Sequence, residues 1–240
     1  MNISSRDPVF VWWIIGILGF LTIYFRVSQS ACIPSSGCNV ALAYYIFNET
    51  TDGNISAVAT RFQAKQSDIL WYSQINTTTS SSPKSGDALH IPFDCRCGHS
   101  GYLGHNFSYT VVQGDEGGTI ATERYDYLTT VDAMTDVNGQ DLNTIYANNV
   151  LLIPVNCSCG DPSINPSYGL FLTYVAEEND NAAVIEEKFN ISAELLQRYN
   201  PHVNLNVLIQ NVDIIFVPAK GIFLKIPLKL LSTFFVYLAI

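Results

Sequence analysis

Two near-identical cysteine segments constrain this chain more than any other feature. Residues 91–98 read Ile-Pro-Phe-Asp-Cys-Arg-Cys-Gly and residues 153–160 read Ile-Pro-Val-Asn-Cys-Ser-Cys-Gly, so the second segment follows the first by 62 residues. The other two cysteines, Cys32 and Cys38, precede both segments. The repetition of this segment indicates a chain that folds as small units with the cysteines between them.

Three landmarks recur with the same spacing, which shows an internal repeat. An aromatic residue in a helical pattern, an asparagine and a proline each recur at intervals that agree within two residues (Phe62, Tyr125, Phe189; Asn76, Asn138, Asn200; Pro92, Pro154, Pro218). The repeat predicts units at 44–93, 107–155 and 171–218, with an N-terminal cysteine segment at 31–43 and an apolar tail at 219–240. Units this small bury little apolar surface, so we expect the cysteine segments to staple neighbours together.

Each unit alternates between patterns typical of strands and helices. Aromatic and branched residues predict an opening strand, helical spacing predicts two short helices, and a second apolar run predicts a closing strand. These elements are expected at 44–47, 55–62, 66–72 and 88–92, at 107–112, 119–125, 132–138 and 150–154, and at 171–175, 183–189, 192–200 and 213–218. Ser192 is the expected N-cap of the last helix, which ends before Pro201. Tyr125 and Met134 are expected core residues.

Residues 1–30 have the pattern of a secretory signal peptide. A short polar start with Arg6 precedes the apolar residues 9–25, and Ser28 and Ser30 supply the small residues that precede a cleavage site. We expect cleavage after about Ser30. The alternative is an uncleaved signal anchor, because the apolar run is long for a signal peptide.

All six cysteines follow the signal peptide, and an even number in a secreted chain favours disulfides. Two Cys-x-Cys pairs could also supply four thiolates to zinc, but an oxidising compartment disfavours that interpretation, and we expect no metal. The spacing alone does not select among the pairings.

Six Asn-x-Ser/Thr glycosylation motifs indicate the same compartment. Because attached glycans need solvent, we expect each asparagine on an exposed face. The motifs begin at Asn48, Asn54, Asn76, Asn106, Asn156 and Asn190.

The chain is acidic, with 12 basic and 21 acidic side chains and a net charge of −9. Removal of residues 1–30 takes away two arginines and one aspartate, so the mature chain is one unit more acidic. Such a surface repels phosphate backbones and anionic lipids, so nucleic acid is not an expected partner. A neutral ligand fits the charge best.

The second unit carries residues typical of the LysM domain. Gly114-Asp115 follows its strand, Ile120-Ala121 lies in its helix, and Asn138 and Ile153-Pro154 follow. Three such units separated by Cys-x-Cys resemble the ectodomain of plant LysM receptor-like kinases, a group that includes receptors of chitin, of Nod factors and of a bacterial exopolysaccharide. Residues 157–161 and 168–171 are similar to the chitin-receptor branch. The resemblance covers residues 32–220.

The resemblance implies an α+β fold of three small βααβ modules, clustered and cross-linked by disulfides. The implied pairs are Cys32–Cys97, Cys38–Cys159 and Cys95–Cys157. It also implies a shallow ligand groove in the second unit, between the loop after its first strand and the loop before its last. The groove residues are then Gln113, Gly114, Asp115, Glu116, Gly117, Gly118, Asn143, Thr144, Ile145 and Tyr146.

The implied function is an extracellular receptor ectodomain that binds chitin-type N-acetylglucosamine oligosaccharides or related microbial glycans in plant immunity or symbiosis. A LysM co-receptor is the implied protein partner, the outer face of the plasma membrane is the implied location, and no cofactor is implied. The first and third units read Asp52-Gly53-Asn54 and Glu178-Asn179-Asp180 in place of Gly-Asp, which leaves an exopolysaccharide ligand open.

Two other functional classes remain as alternatives. One is a soluble decoy or co-receptor with a non-functional groove. The other is an enzyme, such as a LysM-bearing cell-wall hydrolase, which we disfavour because the units occupy nearly the whole chain. They leave no scaffold for two carboxylates set across a cleft.

The tail at 219–240 departs from the family, which continues into a polar spacer, a membrane span and a kinase. Lys225, Pro227 and Lys229 leave about eleven uninterrupted residues, fewer than the roughly 20 that a span needs. A lipid-anchor signal needs a polar spacer before its apolar end, and none is visible. We therefore expect a truncated or alternatively spliced product, and both a secreted form and a membrane-anchored form remain open.

Overall fold

The first strand, β1, has no polar face over its second half. In this computed structural model, which describes residues 32, 37–75, 82–98, 102–142 and 144–219, β1 spans Gly37–Ile46 and is buried on both sides. Because strand side chains alternate, Ala41, Ala43 and Tyr45 pack into one core while Leu42 and Tyr44 pack into another. The strand predicted at 44–47 therefore starts earlier and takes in much of the 31–43 segment.

The predicted helices and strands occur in order in every unit, with one additional short helix in the first, and the α+β fold class is confirmed. In the first unit β1 precedes α1 (Glu49–Asp52), α2 (Ile55–Arg61), α3 (Gln66–Tyr72) and β2 (Ala88–Cys97). The second unit contains β3 (Leu103–Thr110), α4 (Gly117–Thr119) continuing as a π-helical turn (Ile120–Arg124), α5 (Val131–Asn138) and β4 (Val150–Asn156). The third contains β5 (Phe171–Val175), α6 (Ala182–Phe189), α7 (Ala193–Tyr199) and β6 (Ile214–Pro218).

The strands of all three units join into one sheet in the order β4-β3-β2-β1-β5-β6. Two short ladders make the joins: β2 pairs with β3 at Arg96↔Gly104 and Cys97↔Leu103, and β1 pairs in parallel with β5 at Leu42↔Leu172 and Ala43↔Thr173. The first join exists because β2 runs past Pro92 through its Cys-x-Cys segment. The sequence predicted separate two-stranded units and did not reveal this continuity.

Three disulfides gather the cysteines at the ends of these strands. They link Cys32 to Cys97, Cys38 to Cys159 and Cys95 to Cys157, which are the pairs that the family resemblance implies. The last two bridge different units, since Cys95 and Cys38 lie in the first unit's strands and their partners, Cys157 and Cys159, follow β4. The cysteine segments therefore tie the units together across the sheet.

The first two units share one hydrophobic core. Phe62 of the first unit packs its ring against Phe107 and Tyr125 of the second, with ring centroids 5.2 and 5.0 Å apart. Tyr125 and Met134 are both fully buried, so their predicted core positions are confirmed. The third unit packs around a second core, to which β1 contributes its other face.

Two arginines at repeat-equivalent positions cross the junction between the first and second units. Arg61 donates to the backbone oxygen of Arg124 at 2.8 Å, and Arg124 donates back to the backbone oxygen of Thr51 at 3.1 Å. Arg61 also donates to the carboxylate of Asp52 at 2.8 Å, and both side chains of this pair are buried. The junction therefore contains a buried, reciprocated polar network within an otherwise apolar core.

A side-chain bridge from the second helix to the closing strand recurs in each unit. Asn138 donates to the backbone oxygens of Met134 and Leu152 and accepts from the Leu152 N–H at 2.9 Å. Asn200 makes the equivalent three bonds in the third unit. In the first unit Ser73 makes a related bridge, donating to the Ile69 backbone oxygen at 2.6 Å and accepting from the His90 N–H at 2.9 Å.

Several predicted features lie outside the described residues. These are the signal peptide at 1–30, most of the tail at 219–240, Asn76 and Asn143. Across the described part of the chain, no helix combines the length and apolar character needed to cross a bilayer. The other five glycosylation-motif asparagines, Asn48, Asn54, Asn106, Asn156 and Asn190, are all exposed.

Asp126 makes the junction of the units sensitive to pH. Its carboxylate accepts a hydrogen bond from the Ile46 N–H at 2.9 Å, yet burial raises the pKa of Asp126 above its ordinary value. The folded state therefore holds this proton more tightly than the unfolded state, and the associated stability is lost as pH rises through the raised pKa.

Replacing Asp126 by asparagine should therefore stabilise the protein in a pH-dependent way. Asparagine keeps the acceptor oxygen, tolerates the left-handed backbone at this position (φ 48°) and cannot ionise. We expect Asp126→Asn to melt above the wild type at pH 7 and together with it below a pH of about 4. Scanning calorimetry at both pH values checks this, and a constant difference between them would contradict it.

Candidate ligand-binding groove

A single buried carboxylate holds the loop that follows β3. Asp115 is 8% exposed and accepts hydrogen bonds from the Tyr109 hydroxyl at 2.6 Å, the Val112 N–H at 2.9 Å and Arg124 Nη2 at 3.4 Å. Burial, with the hydrogen bond to Asp115, raises the pKa of Tyr109 to about 12, so its hydroxyl remains a donor at physiological pH. The carboxylate of Asp115 therefore holds the loop together through buried hydrogen bonds and does not project into solvent.

The same contact occurs in all three units and was not predicted from the sequence. Asp52 accepts from the Tyr45 hydroxyl at 2.7 Å, and Asp180 accepts from the Tyr174 hydroxyl. Each aspartate also accepts a backbone N–H from the start of its own loop. The signal was a tyrosine six or seven residues before each aspartate.

The first and third units therefore keep the aspartate of the Gly-Asp motif, although they lack its glycine. In the second unit Gly114 adopts a left-handed backbone with φ of 92°, and in the third unit Asn179 takes that role with φ of 66°. Asparagine tolerates this region better than other residues with a side chain. The loops of the second and third units are thus similar in construction, whereas Asp52 of the first unit lies at the end of a short helix.

Gly117 brings the two predicted sides of the groove into contact. A Cβ atom placed on Gly117 would lie 2.9 Å from the Cβ of Leu142, which is itself buried, so a side chain here would force the loops apart. On either side of Gly117, Glu116 and Thr119 form a capping box, in which the Glu116 N–H donates to Thr119 Oγ1 at 2.8 Å. The helix start is therefore fixed against the opposite loop.

The loop before β4 is anchored to the end of β3 by Asn149. Its side-chain oxygen accepts from the Tyr146 N–H at 2.9 Å, and its backbone oxygen accepts from the Val111 N–H at 2.8 Å. Ile145 is half-buried against the shared core. Tyr146 projects outward with 73% of its surface exposed. Ile145 therefore anchors this loop on the core, while the ring of Tyr146 remains exposed to solvent.

The predicted groove residues divide into a buried base and an exposed rim. Asp115 and Gly117 are buried and Ile145 is half-buried. The exposed members are Gln113, Gly114, Glu116, Gly118, Thr144 and Tyr146. A rim of hydroxyl, amide and backbone groups beside one exposed aromatic ring suits a neutral, hydroxyl-bearing ligand, because such ligands combine hydrogen-bonding edges with an apolar ring face.

The described residues offer little to a metal ion. Within them, one group of side chains comes close enough to share a metal: the sulfurs of Cys38, Cys95 and Cys159. Each of these sulfurs already belongs to a disulfide, which removes the thiolate that a metal would need.

Comparison with known proteins agrees with this construction. LysM domain models match residues 109–154 and 172–218. The solved ectodomain of a receptor-like kinase is 32% identical, with a TM-score of 0.68 over 78% of this chain and 95% of that one. The chain belongs to the family of LysM receptor ectodomains. The LYK3 ectodomain is also similar, with 30% identity and a TM-score of 0.68 over 80% of this chain and 93% of that one.

Curated relatives of this LysM chain include receptor kinases. Proteins named chitin elicitor receptor kinase 1 are 36% identical over 197 residues in Physcomitrium patens and 36% identical over 210 residues in Arabidopsis thaliana. The alignments cover 81% and 85% of this chain, but 29% and 33% of those relatives. This chain therefore spans about a third of the length of the relatives it matches.

Proposed function

We propose that this chain is an extracellular receptor ectodomain that binds chitin-type N-acetylglucosamine oligosaccharides or related microbial glycans through the groove of its second LysM module. The observation that carries the proposal is the meeting of the two loops at Gly117 and Leu142, beneath an exposed rim that ends in Tyr146. The names of the chitin elicitor receptor kinases support the choice of ligand class.

The character of the rim favours a neutral glycan over a charged one. Glu116 is the exposed charged residue among the predicted groove residues in the described part of the chain, and it is negative, as is the chain as a whole. An anionic polysaccharide would be repelled by both, whereas the hydroxyls and acetamido groups of an N-acetylated oligosaccharide would not. Tyr146 provides an aromatic face on which a sugar ring can pack.

Binding rather than cleavage is the chemistry that the groove supports. Hydrolysis of a glycoside needs two carboxyl groups on opposite sides of the scissile bond, one of them free to donate a proton. Asp115 is buried and accepts from three donors, so it is not available for that role. The proposed setting is the outer face of the plasma membrane or the secreted fluid, with a LysM co-receptor as protein partner.

Isothermal titration of the secreted, enzymatically deglycosylated chain with chitin oligomers of increasing length tests the proposal. We expect saturable heat with chitin oligomers and no change in oligomer length after incubation. A panel of bacterial exopolysaccharides serves as the comparison, because heat with those glycans alone would reassign the ligand. Absence of heat with every glycan would leave the chain as a decoy or structural protein.

Two substitutions on the rim should weaken chitin-oligomer binding without unfolding the chain. Gly118 is exposed and a Cβ there meets no atom within 4 Å, so Gly118→Trp adds a bulky side chain to the rim without moving the loops. Tyr146→Ala removes the exposed ring. We expect affinity to fall about tenfold for each, or about 1.4 kcal/mol, because the first variant obstructs the groove and the second removes a ring contact.

Trp71→Ala is the matched control, since Trp71 is an exposed aromatic residue of the first module at 43% exposure. The Trp71→Ala variant should bind chitin oligomers with the same affinity as the wild type. Equal losses in the Trp71 and Tyr146 variants would move the binding site away from the second module. Circular dichroism melts of all three variants check that folding is retained.

A further inference from the structure

Two disulfides of this protein meet at one point between the modules. The sulfur atoms of Cys38, Cys95 and Cys159 all lie within 4.8 Å of one another. Cys38 is bonded to Cys159, and Cys95 is bonded to Cys157, so the cluster contains both sulfurs of the first bond and one sulfur of the second. A thiolate released from the first bond therefore has a sulfur of the second bond close by.

Cys38 and Cys95 also have a second relationship, which the observed bonding does not use. They lie directly opposite each other in the antiparallel ladder between β1 and β2. Opposed residues in such a ladder have Cα atoms about 4.5–5.5 Å apart, a separation that a disulfide can span. The strands approach closely here, since a Cβ atom on the preceding Gly37 would lie 2.6 Å from the Cys95 backbone oxygen. The backbone therefore already holds Cys38 and Cys95 as an alternative disulfide pair.

The two bonds differ in their access to solvent. Cys95 and Cys157 are 0% and 3% exposed, so a thiol in solution does not reach their bond in the folded protein. Cys38 and Cys159 are both partly exposed. Because exchange requires a thiolate to reach a disulfide sulfur, an external thiol attacks the Cys38–Cys159 bond first. The thiolate released there lies beside Cys95, at an effective concentration that a thiol in solution does not match.

We propose that these two disulfides form a redox-sensitive clamp that a low-molecular-weight thiol, such as glutathione, rearranges. The external thiolate attacks Sγ of Cys159, forms a mixed disulfide and releases the Cys38 thiolate. The Cys38 thiolate attacks Sγ of Cys95, forms the Cys38–Cys95 bond and releases the Cys157 thiolate. The Cys157 thiolate then attacks Sγ of Cys159, forms the Cys157–Cys159 bond and releases the external thiolate. Every bond formed replaces one that breaks, so the external thiol is regenerated and there is no net oxidation or reduction.

The rearrangement converts bonds between modules into bonds within them. Cys38–Cys95 joins β1 to β2 inside the first module, and Cys157–Cys159 lies within the segment that follows β4. Apart from the chain itself, the first and second modules are then joined by noncovalent contacts, chiefly their shared core and the short ladder between β2 and β3. The clamp therefore sets how firmly the module with the candidate groove is held against its neighbour. This inference does not depend on what the groove binds.

Disulfide mapping of the full secreted chain, after incubation with substoichiometric reduced glutathione, tests the proposal. Residues 125–188 form one tryptic peptide that contains the last two cysteines, and cleavage after Arg96 separates Cys95 from Cys97. In the native pairing this peptide is linked to the peptides of Cys38 and Cys95. After acid quenching and alkylation, we expect it unlinked, with a mass two hydrogens below that of its dithiol form. Persistence of the native links, or release of the peptide with both cysteines alkylated, would overturn the proposal.

Cys159→Ser provides a test that needs no added thiol, because it leaves Cys38 as a free thiol beside Cys95. We expect the secreted variant to contain a Cys38–Cys95 bond, with the free thiol transferred to Cys157. Alkylation followed by mass spectrometry locates that thiol. A free thiol that stays on Cys38 would contradict the proposed exchange.

Cys32→Ser is the matched control, because it leaves Cys97 as a free thiol whose sulfur is not part of the three-sulfur cluster. Alkylation should find the thiol on Cys97. Its transfer to Cys157 would show that exchange occurs without the cluster, which contradicts the proposal.

Urea unfolding of the wild type before and after rearrangement tests the clamp itself. The rearranged protein should unfold at a lower urea concentration, because the cross-links that close long loops have been replaced by local ones. An unchanged midpoint would refute the role of these bonds in holding the modules together.

Discussion

Replacing Arg61 by methionine is expected to destabilise the protein by about 3–5 kcal/mol, the usual cost of removing one partner from a buried ion pair. The substitution leaves the carboxylate of Asp52, whose side chain is fully buried, without its cation. It also removes donors to the Tyr45 hydroxyl at 3.0 Å and to the backbone oxygen of Arg124 at 2.8 Å. Urea unfolding followed by tryptophan fluorescence measures the loss.

Two further variants separate burial from charge in this prediction. Arg96→Met breaks an exposed pair with Asp94, in which the nitrogen and oxygen lie 3.3 Å apart, and should change stability by at most about 1 kcal/mol. Adding Asp52→Asn to Arg61→Met should recover part of the loss, because the unpaired charge is then gone. Losses of similar size in the Arg61 and Arg96 variants would contradict the buried network as a source of stability.

Removing the Cys95–Cys157 disulfide by a double alanine substitution should cost about 2–5 kcal/mol. Both cysteines are buried, at 0% and 3% exposure, so the missing sulfurs also leave unfilled space between the first and second modules. Chemical denaturation of the oxidised protein measures the loss. We expect a less cooperative transition as well, because this bond joins the two modules directly.

The Cys32–Cys97 disulfide provides the comparison for this prediction. It closes a loop of nearly the same length, with a sequence separation of 65 against 62, so chain entropy alone predicts similar losses. Any excess loss in the Cys95 and Cys157 variant therefore measures packing at the module junction. A smaller loss of stability than in the Cys32 and Cys97 variant would contradict the claim that packing around the Cys95–Cys157 bond adds to its effect.

Local elements could be predicted from the sequence because their signals are local. Ser192 caps α7 by accepting from the Leu195 N–H at 3.3 Å, as its position before a helical pattern predicts, and that cap is confirmed. The short helix α1 was missed, since four residues carry too little periodicity. The π-helical turn after α4 was predicted as an ordinary helix, because apolar spacing does not distinguish the two.

Contacts between units were not predictable in the same way. The parallel pairing of β1 with β5 depends on residues about 130 positions apart, and no pattern within either strand specifies its partner. The bridge made by Ser73 in the first unit was not predicted, because serine at this position does not match the asparagine of the other two units.

The candidate groove was located from its family pattern, and the structure distinguishes its members. The sequence predicts Asp115 as a ligand contact, but the equivalent tyrosine bonds of Asp52 and Asp180 show that this aspartate supports the loop in every module. Each aspartate follows a tyrosine by six or seven residues, but this spacing was not used to predict the hydrogen bond between them. Exposure of Gly118 and Tyr146 could not be deduced, because it depends on how the two loops meet.

The double burial of β1 has a consequence for biosynthesis. This strand leaves the ribosome before the other strands of the described fold, but the surface that covers Leu42 and Tyr44 comes from the third module. Until that module emerges, an apolar strand face and its free backbone edge stay uncovered, which is the condition under which nascent chains aggregate. A nascent chain of this protein should therefore depend on chaperones until the third module is complete, and ribosome-bound chains halted before residue 171 should crosslink to them through β1.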